Sequence, residues 1–215
     1  MKVAILLCGH IRTWEKCREN FLDTFSTKTC DVFVHTYSRR YGYHPHIAGL
    51  TNISEIENTG ELDGEENLFD FPNFRKVVFE NQEAVEQEVH DIEDYPVNLD
   101  IYCQHRKIVL CNQLRKDFGE YDLVIRTRMD QKYLYPFVLP EKPESGVVYI
   151  PPNIHTLTPS DTCFMAEPET FDRLLTSLHR KYPEKVIDPH KWLELCLRDF
   201  EWRNLPSKVS VVRFE

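Results

Sequence analysis

The chain has 215 residues, 41% of them hydrophobic and 28% charged, and carries a formal net charge of −9. That length suits one α/β domain able to bury most of its apolar surface, and the acidic balance excludes a general affinity for the nucleic-acid backbone. Any anion it binds must be held by a local cluster of cations.

In chain order, Lys2 to Cys8 is an apolar run closed by Gly9, and Trp14 to Phe25 places Trp14, Cys17, Phe21, Leu22 and Phe25 at helical spacing. Cys30 to Tyr37, "CDVFVHTY", reads as a second strand, which the first helix would place parallel to the first. From Ser38 to Pro72 the periodicity disappears, so residues 38–72 read as a loop-rich insertion with little regular structure. "KVVFE" from Lys76 restores a strand, and Leu99 to Phe118 is the longest helical pattern, ended by Gly119. Leu123 to Arg128 reads as a strand, as do "SGVVYIPP" from Ser145 and "DTCFMA" from Asp161. Pro168 to Tyr182 and His190 to Phe200 are expected helices, and Lys208 to Phe214 an edge strand or packed tail. The order predicts an α/β fold with a central, mostly parallel sheet flanked by helices.

No apolar stretch approaches the roughly 20 residues of a membrane span, and the apolar start is too short for a secretion signal, so a cytoplasmic protein is expected. Seven cysteines without a CxxC pair read as reduced core thiols rather than disulfides or a zinc site.

Open parallel sheets bind ligands beyond the carboxyl ends of their strands, so the strand ends are where chemistry is expected. The first ends in Gly9, His10 and Arg12: either a phosphate-binding turn at a helix start or a turn glycine with a solvated arginine. The second ends in His35, Thr36 and Tyr37, an aromatic ring beside polar groups that either stacks on a base or packs. The segment after Leu123 is the most informative. If its extension persists, Arg126 and Arg128 share one face with Asp130, so three charges converge on one edge. Unpaired burial of such charges is costly, so they form a structural ion network or face a ligand. A carboxylate there can hold Mg²⁺ or Mn²⁺, with neighbouring arginines balancing a departing diphosphate.

Four pieces, "LLCGHIRTW", "DVFVHTY" from Asp31, "YDLVIRTRMD" from Tyr121 and "PSDTCFMA" from Pro159, together resemble the GT-A type glycosyltransferases. The likeness is to a small domain that, in large algal (chlorella) DNA viruses, opens a longer polypeptide building capsid-protein glycans. It implies a GT-A-like, Rossmann-like domain spanning residues 1–215, with a UDP-sugar donor, a glycan or glycoprotein acceptor, Mn²⁺ (or Mg²⁺) as cofactor and retention at the sugar. By residue, it implies that Gly9, His10, Arg12, His35 and Tyr37 line the nucleotide. Arg126, Arg128 and Asp130 would address the diphosphate, with Asp130 also binding the metal. Asp161 would face the sugar or acceptor and His190 would close the site, with His155 as the alternative. The element Arg128-Met129-Asp130 stands where the family has DxD, with an arginine in place of the first acidic residue.

Other features read more simply. His44-Pro45-His46 and Arg39-Arg40 are expected to be solvated, and Glu80 to Glu93 an exposed acidic face. There is no G-x-S-x-G elbow, P-loop or G-x-G-x-x-G fingerprint. Two rival functions stay open: a metal-dependent phosphohydrolase or nucleotidyltransferase, which needs more clustered carboxylates, and a non-catalytic carbohydrate-binding domain indifferent to Mn²⁺ and UDP.

Overall fold

A computed structural model describes residues 1–9, 11, 13–25, 29–37, 39–41, 58–61, 69–81, 84–85, 99–134, 137–152, 159–180 and 189–212, with backbone alone at 39–41, 58–61, 99–101, 179–180 and 189. The described elements, in order, are β1 (Val3–Gly9), α1 (Trp14–Phe25), β2 (Cys30–Tyr37), β3 (Arg39–Tyr41), β4 (Asn58–Glu61), β5 (Phe74–Glu80), α2 (Leu99–Phe118) and β6 (Leu123–Thr127). They continue with β7 (Gln131–Leu134), β8 (Val147–Ile150), β9 (Cys163–Ala166), α3 (Pro168–Arg180), α4 (Pro189–Leu197), β10 (Glu201–Asn204) and β11 (Lys208–Val211).

Seven strands form the central sheet in the order β10-β8-β9-β6-β1-β2-β5. β1 pairs in parallel with both β2 and β6, and β2 in parallel with β5. β9 alone runs against its neighbours, antiparallel to β6 and to β8. The fold is thus the expected mixed, mostly parallel α/β sheet flanked by helices. From β1 the chain first builds outward through β2 and β5, then returns to lay β6 on the other side of β1. The β1/β6 boundary is therefore a topological switch point, the place where loops diverge and leave a crevice at the carboxyl ends.

Burial on both faces explains the continuous apolar runs of the central strands. Ile5, Leu7, Val34 and Ile125 point to the side covered by α1, whose Trp14, Phe21 and Phe25 fill that layer. Ala4, Leu6, Phe33 and Val124 point to the opposite side, against Ile108 and Cys111 of α2, Phe171 and Leu174 of α3, and Trp192 of α4. Alternation along a strand therefore assigns every site residue to one layer or the other. α3 is started by Glu167, whose carboxylate accepts from the backbone N–H of Thr170 at 2.9 Å, with Pro168 in the first turn. All seven cysteines are free and buried, as the lack of CxxC pairs predicts.

Four short strands depart from the sequence expectation. β3 and β4 pair antiparallel inside the segment read as irregular. β7 pairs antiparallel with β11, the strand alternative expected for residues 208–214, and β10 follows the last helix, which ends at Leu197 rather than Phe200. Each has three or four residues, too few for a period-2 pattern to register. β10 is also exposed along its whole length, so it carries no apolar face to read.

Candidate functional site

The carboxyl edge is built from seven pieces of chain: the ends of β1, β2 and β6, the turn into β7, the segment preceding β9, the amino-terminal half of α2 and the first turn of α4. Because β9 is reversed, its amino end lies where the other strands finish, which brings Asp161 to this edge. Thr127 pairs with Leu7 on one side and Cys163 on the other, so Asp161 lies two residues beyond the last paired row.

Between β1 and β2 the ends are locked by Thr36, whose hydroxyl donates to the Gly9 carbonyl at 2.7 Å. Gly9 has φ 135°, in the region that favours glycine, and a Cβ built there meets nothing within 4 Å. Glycine is thus needed for the backbone conformation, not for room. His35 and Tyr37 are both buried. The Tyr37 ring lies beneath the ammonium of Lys107 from α2, and His35 is held down to a pKa of about 4 by its burial and by the positive charges of Lys107 and Arg106.

β6 ends at Thr127, earlier than the pattern predicts, and Met129 and Asp130 make a turn into β7. The apolar Met129 joins the α1-side core, 0% exposed, and this pulls the chain out of extension. Arg126, Arg128 and Asp130 consequently do not share one strand face. Arg126 stays on the α2 side, in register with Leu6 and Phe164. Arg128 turns back over Asp130 and donates from Nε to Oδ1 at 2.8 Å and from Nη2 to Oδ2 at 2.6 Å. Burial alone would weaken the hold of Arg128 on its proton, but Asp130 more than offsets that.

Asp161 is buried, 5% exposed, and meets side chains from two helices. Nδ1 of His190 lies 2.8 Å from its Oδ1, and the Gln104 amide donates to Oδ2. Burial would push this carboxyl up, yet His190 beside it and the nearby Arg126 and Arg128 hold it well below the ordinary carboxylate range. The loop carrying it is tied to β6 and β7 by a buried chain: Thr127 donates to Gln131 at 2.8 Å, Gln131 to Thr162 at 3.3 Å, and Thr162 bonds Ser160 at 2.8 Å. Such a network fixes the carboxylate relative to the strand ends.

The structure thus brings together Arg128, Asp130, Asp161 and His190, with Gly9, His35, Tyr37 and Arg126 around them. His10, Arg12, His155, His44 and His46 lie outside the described residues, as do the side chains of Arg39 and Arg40. Gln104 and Lys107 were not singled out from the sequence. Lys107 had a legible signal, because with Cys103 and Cys111 it falls at every fourth position of a stripe that is otherwise core. A groove of about 660 Å³ lined by Asp172, Arg173, Thr176 and Phe200 lies elsewhere, and none of these site residues lines it.

A divalent metal needs several hard oxygen ligands. Among the described residues no three His, Cys, Asp or Glu side chains converge on a point, and both oxygens of Asp130 are taken by Arg128. As arranged, Asp130 is offered to Arg128 rather than to a metal cation. No described helix is long and apolar enough to cross a membrane.

No family model matches the chain, and no curated protein matches it. Among solved structures it is similar to the apo form of mouse Xyloside xylosyltransferase 1, at 10% identity and a TM-score of 0.38, over 95% of this chain and 85% of that one. At that TM-score the similarity assigns no function.

Proposed function

We propose that the chain is a glycosyltransferase that moves a sugar from a nucleotide diphosphate, with UDP as the nucleotide, to a hydroxyl of a glycan acceptor. The observation that carries the reading is the buried Asp161–His190 contact, set beside Arg128 at the switch-point edge of the sheet. An ionised carboxylate and an imidazole placed next to arginines supply what transfer from a diphosphate requires. Cations stabilise the departing phosphates, and a polar pair addresses the sugar and the incoming hydroxyl.

In this reading Asp161 keeps the His190 ring in one orientation, with its carboxylate 2.8 Å from Nδ1 and its backbone N–H donating to Nδ1 at 3.3 Å. When the ring proton is on Nδ1, facing the carboxylate, Nε2 is the atom that can take the proton of the acceptor hydroxyl as it attacks the anomeric carbon. Gln104 holds the other carboxylate oxygen, and arginine charge meets the negative charge that grows on the leaving diphosphate. A base used this way gives inversion. Retention, which the family resemblance implies, would leave His190 dispensable to the chemistry. No step is assigned to a metal.

The phosphohydrolase and nucleotidyltransferase readings require clustered carboxylates that the described residues do not provide. The test is calorimetry of UDP on the full chain with and without Mn²⁺, on wild type and Asp130→Ala, followed by a panel of nucleotide sugars assayed for transfer or hydrolysis. Binding of UDP and turnover of one sugar nucleotide are expected. Absence of UDP binding in every condition would remove the reading, and binding without any turnover would leave a carbohydrate-binding or nucleotide-binding domain. Proton NMR of the product's anomeric centre decides inversion against retention.

A further inference from the structure

Charge buried elsewhere among the described residues is paired. Asp31 meets Arg75 at 2.5 Å and the Tyr121 hydroxyl at 2.8 Å. Arg115 donates to Asn112 at 2.9 Å and Asp172 at 3.2 Å, and Arg106 reaches Glu80 at 3.0 Å. Two cations depart from this pattern. Arg126 on β6 and Lys107 on α2 are each 1% exposed, and Nε and Nη1 of Arg126 and Nζ of Lys107 have no hydrogen-bond partner.

These two groups are neighbours. Both project to the α2 side of the sheet, and both act on the same thiol, Cys8 at the end of β1. Burial would raise that thiol, but hydrogen bonds with Cys111 and Arg126 and the charges of Arg126 and Lys107 bring it down to about 7. Cys8 pairs in register with His35 at the edge of the sheet, so the two cations lie just beneath the switch-point crevice. Removing a guanidinium and an ammonium from water with N–H groups left unbonded, against little more than a thiol and an aromatic ring, is strongly unfavourable. A fold retains such groups when an anion from outside completes them. Arg128 is committed to Asp130, so Arg126 and Lys107 are the cations that remain to meet a ligand at this edge among the described residues.

We propose that Arg126 and Lys107 form a buried seat for the diphosphate of the donor nucleotide, which neutralises that group with protein cations in place of a divalent metal. The proposal rests on the nucleotide-sugar reading above. Two cations contributed by a strand and a helix match two linked phosphates better than a single monoanion, since the guanidinium can donate to one phosphate while the ammonium acts as a point charge on the other. The competing explanation is that Cys8 itself, as a thiolate, is the counter-ion.

The test uses the full chain in EDTA, titrated calorimetrically with UDP, with inorganic pyrophosphate and with uridine. Wild type, Lys107→Met, Arg126→Gln, Arg126→Lys and Cys8→Ser are compared. UDP and pyrophosphate should bind wild type without metal and lose about 10- to 100-fold in affinity in Lys107→Met and Arg126→Gln. Uridine should bind all five alike, and Cys8→Ser should bind UDP as wild type does. Arg126→Lys should fall between wild type and Arg126→Gln. Should Arg126→Gln fail to fold, Lys107→Met decides, because methionine keeps the apolar stem and buries no charge. UDP binding that is unchanged in both charge variants, that appears only with Mn²⁺, or that falls as far in Cys8→Ser overturns the seat and leaves the transferase reading standing. No UDP binding to wild type with or without Mn²⁺ overturns the reading and the seat together.

Discussion

Arg128 grips Asp130 two residues away at two points, Nε to Oδ1 at 2.8 Å and Nη2 to Oδ2 at 2.6 Å, with the carboxylate only 2% exposed. On a strand, residues two apart project from one face, as Arg203 and Glu201 do on β10, but here the pair lies in the turn after β6. The contact exists because Thr127 ends β6 and Met129 drops into the core. It makes the arginine in the DxD-like element an internal partner of the aspartate.

Removing one member of such a pair strands the other. Asp130→Ala is expected to destabilise the protein by about 3–5 kcal/mol, read as a lower urea midpoint at unchanged slope. In the double variant Arg128→Gln/Asp130→Asn most of that loss should return, because neither group is then a buried lone charge. A double variant as unstable as the sum of its parts would mean the two side chains do not interact.

The Asp161–His190 contact predicts a split in the kinetics. His190→Gln should lower kcat by about 100-fold or more, the usual scale of a general base, while the dissociation constant for UDP changes little. Asp161→Asn keeps the shape but removes the carboxylate that holds the ring, so kcat should fall and the acid limb of its pH profile should shift. Equal losses in UDP affinity and kcat for His190→Gln would assign it to binding.

Two buried groups make stability depend on pH in the same sense. His35 titrates at about 4 in the fold, depressed by burial and by Lys107 and Arg106, against 6.5 ordinarily. Lys107 titrates at about 7 against 10.5, depressed by burial and only partly restored by Cys103 and Glu80. Between each pair of values the unfolded chain carries a proton that the folded chain lacks, so stability rises with pH across both windows. Unfolding midpoints should therefore fall as pH drops from 6.5 to 4, and His35→Gln should flatten that slope. Between pH 7 and 10.5 wild type should gain stability, and Lys107→Met should remove the gain.

Gly9 sits at φ 135° where β1 ends. Gly9→Ala has room for its methyl but not the backbone preference, and should cost about 1–3 kcal/mol in thermal unfolding. A neutral result would show that the strand end relaxes without penalty.

Much of this architecture is written in local pattern. The continuous apolar runs of β1, β2 and β6 and the helical spacing of Trp14, Cys17, Phe21 and Phe25 each announce an element whose two covers follow from burial. Asp130, Asp161 and His190 were legible as polar residues flanking those elements. The partnerships were not. Whether Asp130 faces a ligand or Arg128 depends on where β6 stops, and that is decided by Met129 finding space in the core rather than by the order of residues. That Asp161 meets His190 and Gln104 depends on β9 running against its neighbours, which carries its amino end to the carboxyl edge. Lys107 stands in a sequence stripe of core positions, and only the packing of α2 over β1 and β2 sets it beside Tyr37 and Cys8. Sequence by itself determined the longer elements and their buried faces, because those depend on side-chain period and hydrophobicity. The tertiary structure decided which charges are paired and which are left to meet an anion, because that depends on distances between segments far apart in the chain.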